Sequence, residues 1–201
     1  MSSTERIPIE RSALLVIDVQ DSFKLGPRWE LRSNPKFEEN LERLIAAYRA
    51  AGLPVIFFLH TDPDPGFETT SPLFKLMDLD FLVPGPGEPL LVKNTRNAFT
   101  STNLGEILAE KGVRRVVVTG ISTEQCCETT TRVAADLGYD VDFVTEATRT
   151  FPITNPETGD VFPTDEILRR TEFVLRGRFA TIATVDRLVE ELQKAAVPCN
   201  G

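Results

Sequence analysis

The chain has 201 residues and 41% hydrophobic content, enough for a substantial core, and we expect residues 1–201 to form a single domain. Its formal net charge of −8 at pH 7 argues against a nucleic-acid partner, because such proteins concentrate Lys and Arg on one surface. Residues 1–10 lack the apolar region of a secretory signal, and no apolar run is long enough to cross a bilayer. Three cysteines do not make a disulfide framework, so we expect a cytoplasmic protein with no membrane partner.

Apolar runs alternate with amphipathic stretches along the first half of the chain. Residues 13–17 form a continuous apolar run that ends at Asp18, which predicts a strand buried on both faces. Apolar residues recur at helical spacing over 37–48, and Gly52 is placed to cap that helix. Residues 54–59 and 90–92 predict the second and third strands, and 104–108 predicts a helix ending near Gly112.

The alternation continues in the second half. A strand is predicted at 116–118, followed by a helix over 123–137 that stops at Gly138. Residues 141–144 and 179–183 predict the fifth and sixth strands, and 185–195 a last helix. This order predicts a parallel sheet covered by helices on both faces, with a doubly wound topology favoured. Ligands of such sheets bind at the carboxyl ends of the strands.

Two long segments, residues 61–89 and 149–163, interrupt the pattern and are rich in proline and glycine. Long loops in compact domains are usually lids or binding loops. We therefore expect these segments to shape a pocket, with conformations that the sequence does not specify.

Several polar residues lie at predicted strand ends or helix starts. Asp18 ends the first strand and Lys93 the third, although either one alone is also typical of a solvated strand end. Cys126 lies in the first turn of a predicted helix, where free N–H groups would lower the thiol pKa and bind an oxyanion. A buried structural cysteine is the alternative for Cys126. It is the role we expect for Cys127, since consecutive helix residues point about 100° apart.

His60 is the chain's single histidine and ends the second predicted strand. A zinc site built on several imidazoles is therefore excluded, and we expect neither a metal nor a cofactor. The roles left open for His60 are a structural contact, a substrate contact or a general base.

Three motifs resemble those of the isochorismatase-like cysteine hydrolases. Residues 120–130 resemble the signature G-x-x-T-x-x-C-x-x-x-T, residues 17–23 the motif D-x-Q-x-x-F, and residues 92–99 the central lysine motif. They occur in the family's order and spacing, and with the strand pattern they cover nearly the whole chain. The resemblance implies a three-layer α/β/α fold with a six-stranded, mostly parallel, doubly wound sheet. It also implies a catalytic triad of Asp18, Lys93 and Cys126.

The same resemblance implies further details of the site. It suggests a cis peptide between Ile121 and Ser122, and an oxyanion hole formed by the N–H groups of Ser122 and Cys126. It implies a homo-oligomer, either a dimer or a tetramer. Aromatic residues of the motifs and of the loop after the first strand are expected to wall the pocket, unless they belong to the core: Phe23, Trp29 and Phe99.

Two departures from the family pattern narrow the function. Nicotinamidases of the family carry an Asp-x-His pair and a further His that bind a metal, and this chain lacks those histidines. Isochorismatases that cleave a vinyl ether generally lack the nucleophilic cysteine. What remains is metal-free hydrolysis of a small amide, ureido or carbamoyl compound through a thioester, releasing ammonia or a small amine. Two alternatives stay open: a non-catalytic binding or scaffold protein, and a redox role for adjacent Cys126 and Cys127.

Overall fold

The computed structural model describes residues 6–196. Its strands are β1 (Ser12–Ile17), β2 (Val55–His60), β3 (Leu90–Lys93), β4 (Arg115–Ile121), β5 (Asp140–Arg149), β6 (Ile153–Thr154), β7 (Val161–Phe162) and β8 (Thr181–Ile182). Six of them form one sheet in the order β3-β2-β1-β4-β5-β8, with every pairing parallel. The predicted doubly wound parallel sheet is confirmed, because the chain winds outward from β1 to one edge and then from β4 to the other.

Helices cover both faces of this sheet. They are α1 (Phe37–Ala50), α2 (Leu104–Glu110), α3 (Glu128–Asp136), α4 (Thr164–Leu175) and α5 (Val185–Ala196). Apolar residues of α1 and α5 join one core cluster, and those of α2, α3 and α4 join the other. The three-layer architecture is therefore confirmed. Within residues 6–196, no helix has the length and apolar character needed to span a membrane.

The central strands are buried on both faces, as their continuous apolar runs predict. All six residues of β1 are buried. Leu14 and Val16 point into the cluster beneath α1 and α5, whereas Ala13, Leu15 and Ile17 point into the opposite cluster. Successive side chains of a strand alternate between faces, so a strand with helices on both sides carries apolar residues on both faces.

The structure departs from the predicted elements at five places. Strand β5 continues to Arg149, five residues beyond the predicted end, and the sixth strand is limited to Thr181–Ile182. The loop predicted at 149–163 contains the antiparallel hairpin β6–β7, whose residues are all exposed. Helix α4 was not predicted because a threonine, Thr171, interrupts its short buried stripe. The helix predicted over 123–137 begins with a π-helical turn, Thr123–Cys127, before α3.

Gly120 allows β4 to approach β1 closely. Its φ is +119°, and a Cβ at this position would lie 1.9 Å from the carbonyl oxygen of Ile17, so no side chain fits there. Asp18 follows Ile17, and the turn carrying Cys126 follows β4. The close approach thus brings two candidate site residues toward each other.

Substituting Gly120→Ala should lower the free energy of unfolding by more than about 3 kcal/mol, because the new Cβ overlaps the Ile17 carbonyl and the backbone is strained as well. Gly138→Ala is the matched control. Gly138 also has a positive φ, +87°, but no atom lies within 4 Å of the added Cβ, so the cost is about 1–2 kcal/mol. Chemical denaturation measures both variants, and equal losses would contradict the steric argument.

Candidate active site

Asp18 lies immediately after β1, where the backbone turns away from the sheet. Its φ of +52° is in the left-handed region, which aspartate tolerates better than most residues. The Asp18 N–H donates to the carbonyl oxygen of Phe58 at 3.1 Å, which continues the pairing with β2 by one residue. The side chain is fully buried, and within residues 6–196 its Oδ1 has no hydrogen-bond partner. The carboxylate therefore keeps an unused acceptor at the carboxyl end of a central strand.

Lys93 reaches Asp18 across an intervening strand. It pairs in register with His60 of β2, and β2 separates β3 from β1. Two strand spacings are about 9–10 Å, so a long side chain is needed to cover the distance. The Lys93 Nζ lies 2.8 Å from Asp18 Oδ2, and both side chains are 0% exposed. The same Nζ lies 3.3 Å from the Sγ of Cys126, and donates to the carbonyl oxygen of Thr95 at 3.2 Å.

Cys126 belongs to the π-helical turn that follows β4. Its side chain is 4% exposed and lines a cavity, whereas Cys127 is fully buried with its Sγ 3.7 Å from the carbonyl oxygen of Thr119. The two thiols therefore have different surroundings, as the helical geometry predicts. The peptide bond between Ile121 and Ser122, just before this turn, is cis, which confirms that expectation.

Burial raises the pKa of the Cys126 thiol to about 12. The negative charge of Asp18 acts in the same direction, and the positive charge of Lys93 opposes it. The lowered pKa predicted from the helix start is therefore wrong, because desolvation of a thiolate outweighs the partial charge of a few N–H groups. At neutral pH the resting site holds a thiol beside an ion pair.

His60 connects this buried cluster to a second one at the cavity wall. Its Nδ1 lies 3.3 Å from Lys93 Nζ, and its other nitrogen faces Arg96 and lies 3.5 Å from Asp62 Oδ2. Burial and the nearby Lys93 charge lower the pKa of His60, so the ring is neutral at pH 7. A neutral ring has one acceptor nitrogen, and Lys93 and Arg96 both offer only donors, so the ring accepts a hydrogen bond from one of these two cations.

A cavity of about 290 Å³ opens above Cys126. One part of its wall is aromatic and apolar, and the other is polar or charged. The lining residues are Phe23, Arg28, His60, Asp62, Asp64, Phe67, Arg96, Ser122, Glu124, Gln125, Cys126, Phe151, Pro152 and Ile153. Asp18 and Lys93 lie behind Cys126, outside this lining.

The structure places the three expected pocket aromatics differently. Phe23 lines the cavity. Trp29 does not, because it packs behind Phe151, with ring centroids 6.1 Å apart. Phe99 packs against Tyr139 at 5.8 Å beside the core cluster of α2, α3 and α4, so its motif position reflects packing of the fold.

Sequence reasoning missed most of the cavity wall. The segments 61–67 and 151–153 both contribute to it, so the expectation that the two long loops shape the pocket is confirmed. No signal in the sequence singled out Phe67, Phe151 or Arg96. Asp62 lies only two residues after His60, a spacing that could have indicated a shared place in the wall.

The residues present do not fit the metal site of the family's nicotinamidases. Within the described range, no three His, Cys, Asp or Glu side chains are grouped as metal ligands. His60 and Asp62 lie 3.5 Å apart at the cavity wall, and this pair faces the Arg96 guanidinium. A cation of the chain itself thus neutralises these groups.

Residues 12–159 match the family model described as the isochorismatase domain. The chain belongs to the isochorismatase family. Among curated isochorismatase-family relatives, it is 31% identical to the uncharacterized protein YrdC of Bacillus subtilis over 187 residues, covering 92% of this chain and 98% of YrdC. It is 34% identical to Nicotinamidase 3 of Arabidopsis thaliana over 154 residues, covering 70% of this chain and 74% of the relative.

A solved structure supports the same isochorismatase fold. The crystal structure of a putative isochorismatase-family hydrolase from Chromobacterium violaceum superposes with a TM-score of 0.84 at 28% identity, covering 96% of this chain and 100% of that one. Members of the isochorismatase family are hydrolases, and they include amidohydrolases.

Removing one member of the buried ion pair should destabilise this isochorismatase-family protein strongly. We expect Lys93→Met and Asp18→Asn each to lower the free energy of unfolding by about 3–5 kcal/mol, because each leaves a charge buried without its partner. The double variant should cost much less than the sum of the two. Denaturant titration of all four proteins measures this coupling, and simple additivity would contradict a buried ion pair.

Asp18→Asn should also lower the pKa of Cys126, because it removes the charge that raises this pKa and keeps the Lys93 charge that lowers it. The measurement is the ultraviolet absorbance of the thiolate as a function of pH, with Cys126→Ala as the blank. An unchanged or higher pKa in Asp18→Asn would show that Asp18 does not act on the thiol.

Proposed function

We propose that this protein is a cysteine-dependent hydrolase of a small amide, ureido or carbamoyl compound, with Cys126 as the nucleophile. The observation that carries the proposal is the position of Lys93 Nζ, 2.8 Å from Asp18 and 3.3 Å from the Cys126 sulfur that lines the cavity. Three separate segments supply these groups. Burying them together is costly for the fold, which favours a functional reason for keeping them.

Because the thiol is protonated at neutral pH, the nucleophile needs a base. Asp18 takes the proton from Cys126 while the sulfur forms a bond to the carbonyl carbon of the substrate. Lys93 offsets the negative charge that moves from the carboxylate to the sulfur, since it contacts both.

The tetrahedral intermediate carries its negative charge on the former carbonyl oxygen. Ser122 and Cys126 both line the cavity, and we assign their backbone N–H groups as the oxyanion hole. Each such donor contributes about 3 kcal/mol in comparable sites. The carbon–nitrogen bond then breaks, Asp18 returns its proton to the nitrogen, and ammonia or a small amine leaves behind a thioester on Cys126.

The second half of the reaction uses the same groups. Asp18, again a carboxylate, takes a proton from water as the water oxygen attacks the thioester carbon. The carbon–sulfur bond breaks, the acid product leaves, and Asp18 returns the proton to the Cys126 sulfur. Asp18 and Cys126 thus end the cycle in the protonation states in which they began it.

Two observations favour this proposal over the alternatives. The Arabidopsis relative is named for action on nicotinamide, which is a carboxamide. Cys127 faces the core while Cys126 faces the cavity, so the adjacent thiols are poorly placed for a shared redox role. A carboxylate beside the Cys126 thiol can act as a base, which catalysis needs and binding alone does not.

Cys126→Ala should abolish ammonia release, because no other thiol lines the cavity in the part of the chain that the structure describes. Cys127→Ala is the matched control, and it should retain activity within a few fold since its side chain faces the core. The measurement is ammonia release over a panel of small amides, ureido acids and carbamoyl compounds. Mass spectrometry of briefly incubated wild-type protein should show an acyl group on Cys126.

Ammonia release by Cys126→Ala at the wild-type rate would contradict the covalent mechanism. Loss of turnover in both cysteine variants would indicate damage to the fold instead of loss of a nucleophile. Circular dichroism and unfolding curves of the two variants separate these cases.

A further inference from the structure

Two arginines line the cavity, and they differ in their partners. Arg96 lies 3.1 Å from Asp62 Oδ2 and also contacts His60, so its charge is already compensated. Arg28 has no carboxylate within ion-pair distance among residues 6–196. Its guanidinium is therefore the uncompensated cation of the described cavity wall.

Arg28 is nevertheless held at a defined place. Its guanidinium carbon lies 5.7 Å from the ring centroid of Phe23 and 5.2 Å from that of Phe151. The two rings are stacked on each other, 5.9 Å apart at 15°, and both line the cavity. Contact with aromatic faces attracts the cation while leaving its N–H groups free.

We propose, resting on the proposed function, that Arg28 determines specificity by binding a carboxylate of the substrate. A guanidinium presents N–H donors in a planar fork that matches the two oxygens of a carboxylate. The substrate would be a small carboxylic acid with an amide or ureido group at its other end. Its carbon chain would lie against Phe23 and Phe151 while the carbonyl carbon meets Cys126.

Two carboxylates of the wall are consistent with this orientation. Glu124 and Asp64 also line the cavity without a cation partner in the described part of the chain. Glu124 belongs to the same helical turn as Cys126, and its Oε2 accepts a hydrogen bond from Thr150 at 2.6 Å. Amide and ureido groups carry N–H donors, which such acceptors bind, so the nitrogen end is suited to Glu124 and the acid end to Arg28.

The experiment measures binding to the Cys126→Ala variant by calorimetry, so that turnover does not interfere. The probes are succinamic acid and β-ureidopropionic acid, each beside its methyl ester, with γ-aminobutyramide as a cationic amide. At least one acid should bind about tenfold or more tightly than its ester, and the preference should shrink as salt is added. Arg28→Gln in the same background should remove the preference.

Arg32→Gln is the matched control, because Arg32 also packs on an aromatic ring, that of Trp29 at 4.8 Å, but does not line the cavity. It should keep the preference for the acid. Tightest binding of the cationic amide, binding of neither acid, or a preference that survives Arg28→Gln would each overturn the inference. Because binding is measured without Cys126, these outcomes are distinct from failure of the proposed function, which ammonia release by wild type and Cys126→Ala decides.

Discussion

The buried contact between Asp18 and Lys93 is the constraint on which the site depends. Neither side chain is exposed to solvent, so each charge is stable mainly because the other lies 2.8 Å away. The contact requires β1 and β3 to end at the same level with β2 between them, and it requires a side chain as long as lysine. The apolar strands that fill both cores thus also set the geometry of the polar cluster at their ends.

That pair also determines the state of the cysteine. Burial and the Asp18 charge keep the Cys126 thiol protonated. Lys93, whose Nζ lies 3.3 Å from the sulfur, can compensate the negative charge of the thiolate once the proton has moved. A protonated nucleophile with an adjacent base avoids a permanently charged sulfur in a buried position. Burial and, after it, the Lys93 charge lower the pKa of His60 and keep its ring neutral, so this part of the cavity wall adds no charge next to the thiol.

The layers follow from local sequence patterns, whereas the grouping of Asp18, Lys93 and Cys126 follows from the resemblance of three motifs to the family, and the structure brings these side chains together. Continuous apolar runs identify strands buried on both faces, and Asp18 and Lys93 end such runs. The sequence pattern does not predict helix α4, because its buried stripe is short, or the hairpin β6–β7, because its residues are all exposed. The cavity wall could not be predicted from local patterns because loops distant in sequence build it: Phe67 and Phe151 both pack against Phe23. The thiol pKa was misjudged because burial depends on how the elements pack.

The π-helical turn at Thr123–Cys127 accommodates one residue more than an α-helical turn before α3 begins. The turn sets the direction of the Cys126 sulfur, and the helix after it sets which face of α3 packs on the sheet. These two requirements are therefore met by different residues. Losing one residue there would rotate the sulfur by about 100° and leave α3 on the sheet.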